Sequence, residues 1–218
     1  MIGRHSRRSR LAVRLALTAL FVLSAVSLGW AGQAQDQLKG AIDRVVSTLE
    51  NPALKGEGKA LERRHAVRKI ADEIFDFNEI ARRSLGRYWQ PLTEPQRTEF
   101  VGLFADLLER SYISKIELYG GEKIIYSGER AEGDLATVST KIITKNGTEV
   151  PVDYRLFKKG DRWMIYDVNI EGISLVSNYR TQFNKIIQTN GYNALVERMK
   201  TKQNEFLEES SGKRKAQQ

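Results

Sequence analysis

"EKIIYSGERAEGDLATVSTKIITKNGTEVPVDYRLFKKGDRWMIYDVNI" occupies Glu122–Ile170 and alternates apolar with polar residues at a period of two. Three breaks divide it into four strand-like runs: Glu132-Gly133-Asp134, Asn146-Gly147 and Gly160-Asp161. Asn-Gly between alternating runs is a strong short-range hairpin signal. Successive hairpins make an antiparallel meander. Ala136, Val138, Thr140 and Ile142 share one face of the second run. Val150, Val152, Tyr154 and Leu156 share one face of the third, and Met164, Tyr166, Val168 and Ile170 one face of the fourth. Thr137, Ser139, Lys141, Asp153, Arg155, Asp167 and Asn169 take the opposite phase, so the sheet has a dry face and a wet one.

On either side of the meander the period is that of a helix. Leu38, Ile42, Val45, Val46 and Leu49 form one apolar stripe over residues 36–50, and "NPALKGEGK" breaks it. Leu61, Ala66, Val67, Ile70 and Ile74 form a second over about 60–74. Asp76 suits the cap of a third helix, which stops near Gly86. Thr93, with Pro95 in the first turn, suits the cap of a long helix over about 94–118. That helix is apolar over more than one stripe, through Phe100, Phe104, Leu107, Leu108, Ile113 and Ile116, so it is buried on two sides or lines something. After the turn at Gly172, with Ser174 as a cap, Val176, Tyr179, Phe183, Ile186 and Ile187 form another stripe. A last helix begins at "YNALVERMK", and the polar residues 210–218 read as a disordered tail. Helices, then a meander, then helices predict an α+β fold: a curved antiparallel meander of about four strands with helices packed on one face.

The first stretch stands apart. "MIGRHSRRSRLAVR" carries five arginines and no acid, and an apolar run of about 17 residues and then small residues follow it. Residues 1–34 read as a cleaved export signal, with a membrane anchor as the other reading and a twin-arginine route weakened by the missing aromatic. The domain is then 35–209. The chain of 218 residues carries +8, and without those five arginines +3 remains, so composition gives little support to a nucleic-acid partner.

Catalytic chemistry has few candidates. The chain has no cysteine, which removes disulfides, thiol catalysis and thiolate metal sites. His65 is the one histidine beyond the signal, and it lies in the basic helical run "ERRHAVRK" with no G-x-S-x-G elsewhere. No histidine cluster offers a zinc site and no Gly-rich loop a phosphate site, so no cofactor is expected. A carboxylate base remains open as the mark of a small-molecule isomerase or lyase, with Asp153 and Asp167 as candidates. Both belong to the wet phase and would face away from an apolar interior. A lipid-free adaptor with a filled core is a further reading.

"FDFNEIARRSLGRYWQPLTEPQRTEFVGLFADLLERSY", "IIYSGE" and "RWMIYDVNIEGISLVSNYRTQFNKII" resemble the signature of the MlaC, or toluene-tolerance, family of periplasmic lipid-binding proteins. The resemblance covers about Leu38 to Phe206. It implies an α+β fold of nuclear-transport-factor-2-like shape and no enzymatic activity. It implies a periplasmic carrier that encloses the acyl tails of a phospholipid. Its partners would be an outer-membrane lipoprotein–porin complex and an inner-membrane ABC transporter complex, and its role the maintenance of outer-membrane lipid asymmetry. A HpnM-like branch makes a hopanoid or other polycyclic lipid an alternative ligand. With strand phase guided by that fold, the lipid wall would comprise Val138, Ile142, Val152, Tyr154, Leu156, Met164, Tyr166 and Val168. Phe104, Leu107, Leu108, Val176, Tyr179 and Phe183 would close it from the helical side. A one-residue slip in any strand would exchange its faces.

Overall fold

The structure is a computed structural model that describes residues 32–215. Of the expected signal, residues 1–31 lie outside that range, as do 216–218 of the expected tail. Three helices lead: α1 (Gln33–Glu50), α2 (Ala60–Ile74) and α3 (Phe77–Leu85). A long α4 (Glu94–Glu117) follows, then the strands β1 (Lys123–Glu132), β2 (Leu135–Ile143), β3 (Glu149–Lys159), β4 (Arg162–Ile170) and the two-residue β5 (Ile173–Ser174). Helices α5 (Leu175–Asn190) and α6 (Tyr192–Lys215) end the described chain. The architecture is α+β, and the sheet has five strands in meander order, the fifth too short to show a period.

Local chemistry sets the boundaries. The Asp76 carboxylate accepts the Glu79 N–H at 3.0 Å and caps α3. Thr93 and Gln96 form a reciprocal capping box at the start of α4, with Pro95 in the first turn. The Ser174 hydroxyl accepts the Ser177 N–H at 3.0 Å and caps α5. Gly160, at φ 62°, supplies the left-handed residue of the β3–β4 turn.

Pairing is antiparallel throughout the sheet, with Val138 opposite Tyr154 and Tyr154 opposite Val168. One irregularity matters for the site. Arg155 pairs with Asp167, but Leu156 pairs with Ile165, so Tyr166 is an extra residue in β4. Inward positions on β4 therefore run Trp163, Ile165, then Val168 and Ile170, which a strict period of two does not give.

The apolar interior forms two clusters. Phe100, Phe104 and Phe183 meet edge-on or tilted, with ring centroids 5.0–5.8 Å apart, among α3, α4, α5 and α6. Leu38, Ile74, Val138, Leu156, Trp163 and Ile165 fill the space between the sheet, α1 and α2. Between the two clusters the packing opens.

Candidate functional site

The opening is a cavity of about 620 Å³, within the ~300–1,000 Å³ range of small-ligand sites. Its walls come from stripes already visible as apolar faces. Helix α1 contributes Leu38, Ile42, Val45 and Leu49, and α2 contributes Val67, Ile70, Ala71 and Ile74. The second apolar face of α4 contributes Leu108, Tyr112, Ile113 and Ile116. Phe100 and Phe104 of the same helix point into the helical cluster, so α4 is both core and wall. The sheet supplies Ile124, Ile142, Val152, Tyr154, Ile165, Val168 and Ile170. At one end the lining reaches Leu118, which is 79% exposed, with Ile116 also exposed beside it. This end is the mouth.

The expected wall residues divide into four groups. Leu108, Ile142, Val152, Tyr154 and Val168 lie on the cavity wall. Val138 and Leu156 are on the same sheet face but are fully buried in the sheet–helix cluster rather than in contact with the cavity. Phe104, Val176 and Phe183 are buried in the helical cluster, with Leu107 and Tyr179 packed against it. Met164 and Tyr166 lie on the far side of the sheet, because the bulge at Tyr166 reverses the phase of β4. There the Arg83 guanidinium sits over the Tyr166 ring at 4.0 Å. The walls from α1 and α2 were absent from the expected set. Their stripes were legible as apolar faces, but nothing in sequence spacing says that they face a void.

Charged groups on the lining are few: Arg68, Glu109, Lys115, Glu122 and Asp167. Asp167 lies opposite Arg155, in the polar phase its spacing predicts, yet it is 3% exposed rather than wet, because β5 and the first turn of α5 cover it. Its carboxylate accepts from Arg155 Nη1 at 3.0 Å, Ser174 Oγ at 2.7 Å and the Val176 N–H at 3.0 Å. Tyr154 faces the cavity without a hydrogen-bond partner among the described residues, and burial pushes its hydroxyl pKa up to about 12. Asp153, the other candidate base, is not on the lining. Among the described residues no cluster of three His, Asp or Glu could hold a metal ion, and no helix is long and apolar enough to cross a membrane.

Helices α2 and α4 meet at the cavity rim without close backbone packing. Side chains bridge them instead. Arg68 Nη1 donates to Glu109, while its Nε donates to Asp72 on its own helix. Nearer the mouth, Arg63 Nη2 reaches Glu117 Oε1 at 2.9 Å, and Arg64 donates to Glu117 Oε2 from Nε at 3.1 Å and from Nη2 at 2.9 Å.

Comparison with known proteins agrees with this architecture. In a solved structure of a phospholipid-binding protein from Ralstonia solanacearum in complex with a phospholipid, the fold superposes with a TM-score of 0.71 at 28% identity. That match covers 78% of this chain and 96% of the other. The intermembrane phospholipid transport system binding protein MlaC of Haemophilus influenzae is 27% identical over 53% of this chain and 56% of its own length. The toluene tolerance protein ttg2D of Pseudomonas putida is 27% identical over 58% of this chain and 60% of its own. The matched segments thus span less than two thirds of these curated relatives. The family model for MlaC protein matches residues 39–201, most of the described domain, and the chain belongs to the MlaC family.

Proposed function

We propose that the protein is a periplasmic phospholipid carrier, with acyl tails in the cavity and the head group at the mouth beside Leu118. The observation that carries this reading is a cavity of about 620 Å³ walled almost wholly by aliphatic and aromatic side chains. A two-chain lipid has roughly 30 methylenes, each costing about 0.8 kcal/mol in water, so free diffusion is opposed by roughly 25 kcal/mol. A dry cavity removes most of that cost and leaves transfer between bilayer and carrier close to neutral. The relatives, which are named for phospholipid transport, phospholipid binding and toluene tolerance, support the same reading. The finer role is shuttling between an outer-membrane lipoprotein–porin complex and an inner-membrane ABC transporter complex, which maintains outer-membrane lipid asymmetry. Transport of this kind places the protein in the periplasm, with residues 1–34 as its export signal.

Catalysis by a carboxylate base is less favoured. Asp167 adjoins the cavity, but its carboxylate is engaged by three donors, which leaves it poorly placed to abstract a proton. Organic extraction of protein purified from its own periplasm, followed by mass spectrometry, tests the carrier reading. One glycerophospholipid per chain is expected. A hopanoid in its place would change the ligand class, and protein without stoichiometric lipid would refute carriage.

A further inference from the structure

We propose that Arg63 and Arg64 form a head-group subsite at the cavity mouth, and that Glu117 occupies it as a stand-in for a phosphodiester anion. The proposal rests on the carrier reading above. Glu117 is the last residue of α4, between Ile116 and Leu118, both of which belong to the exposed apolar rim of the mouth. Arg63 and Arg64 precede the wall residue Val67 by four and three positions, which sets them on the same side of α2, one turn beyond the lining itself.

The two guanidinium groups enclose one carboxylate from two directions. Arg63 is held in place by the Leu54 carbonyl at 2.9 Å, so its fork is positioned independently of Glu117. Glu117 has no such anchor among the described residues: its partners there are these two arginines. Its side chain is 13% exposed, so bulk water screens the site little. An arginine pair oriented to receive two oxygens of one anion matches a phosphodiester as well as a carboxylate. The same ion pairs bridge α2 and α4, whose backbones do not pack closely at this rim. Exchange of Glu117 for a lipid phosphate would therefore release the bridge nearest the mouth, with Arg68 still joined to Glu109, as the lipid's own anion takes over the arginines. In the empty carrier Glu117 holds the two arginines; in the loaded one they hold the head group at the surface, with its tails already inside.

Exchange experiments with two probes of identical acyl chains test this on the full domain after delipidation. Fluorescent phosphatidylglycerol carries the phosphodiester, and fluorescent diacylglycerol lacks it. The wild type is expected to favour phosphatidylglycerol. Arg64→Ala should lower that preference by about tenfold, and Glu117→Gln, which frees both arginines without removing them, should raise it by a similar factor. If Arg64→Ala fails to fold, the opposite shift in Glu117→Gln still decides. An unchanged preference in Glu117→Gln, or equal uptake of both probes by the wild type, overturns the subsite and leaves a structural ion pair. Uptake of neither probe by the wild type overturns the carrier reading itself.

Discussion

Asp167 shows how one residue can look catalytic by composition and be structural by position. Its oxygens accept from Arg155, Ser174 and the Val176 N–H, and so tie β3, β4, β5 and α5 together. Arg155 is 41% exposed, so the ion pair contributes modestly. The larger loss on truncation is the buried acceptor for Val176 and Ser174. Asp167→Ala is expected to destabilise the fold by about 2–3 kcal/mol, read as a lower urea midpoint at unchanged slope. Tyr154 predicts the alkaline limit of stability. Its hydroxyl is pushed up to about 12 by burial, whereas in the unfolded chain it ionises near 10. Between those values the unfolded state binds fewer protons than the folded one, so stability falls as pH rises. Each such group contributes a slope of about 1.4 kcal/mol per pH unit. Tyr126 and Tyr192, also raised to about 12 by burial, act in the same direction. Tyr154→Phe should remove one proton's worth of that slope in urea titrations at pH 10–12. The phase of both Asp167 and Tyr154 was legible in the sequence. The cover over Asp167 was not, since it comes from β5, a strand of two residues.

At the scale of elements, helices and strands follow from period, caps and turns, because each of these is local. Asp76, Thr93 and Ser174 begin helices where their side chains predict them. The failure on β4 is equally local. The β1 bulge falls beside Gly128, a residue with a conformational reason to be there, whereas the β4 bulge falls at Tyr166, which carries no such mark. One extra residue moved Met164 and Tyr166 to the far face and brought Ile165 inward. The same distinction between wall and core separates two substitutions on β3. Val152 borders the cavity, so Val152→Trp has a void to enter and should reduce lipid uptake while the domain stays folded. Leu156 is fully buried in the sheet–helix cluster with no adjoining void, so Leu156→Trp should cost about 1–3 kcal/mol through overpacking. Circular dichroism melts alongside lipid quantification separate the two effects. A Val152→Trp protein that still co-purifies with a full complement of lipid would place the ligand elsewhere.

At the scale of the molecule, the cavity is a quantity that no single stretch of sequence encodes. The stripes of α1 and α2, the second face of α4 and the dry face of the sheet are each legible, and each would serve equally well in a filled core. Whether they meet depends on how far apart the two apolar clusters hold them, and that distance is set by large residues at the ends: Phe100, Phe104 and Phe183 on one side, Trp163 and Leu156 on the other. An interior of this kind gives up the packing that would fill about 620 Å³, so the empty domain should be less stable than the loaded one. A ligand that binds only the folded state stabilises it by about 2.7 kcal/mol when present at a hundredfold excess over its dissociation constant. For a domain of this size, each kcal/mol moves the melting temperature by about 2–4 °C, so loading should raise it by about 5–10 °C. Differential scanning calorimetry on delipidated and reloaded protein measures the shift directly. Val152→Trp should shrink it, because the introduced ring takes up the volume that the lipid would have filled. A melting temperature that ignores lipid in the wild type would mean that the void is not where the ligand's apolar surface goes.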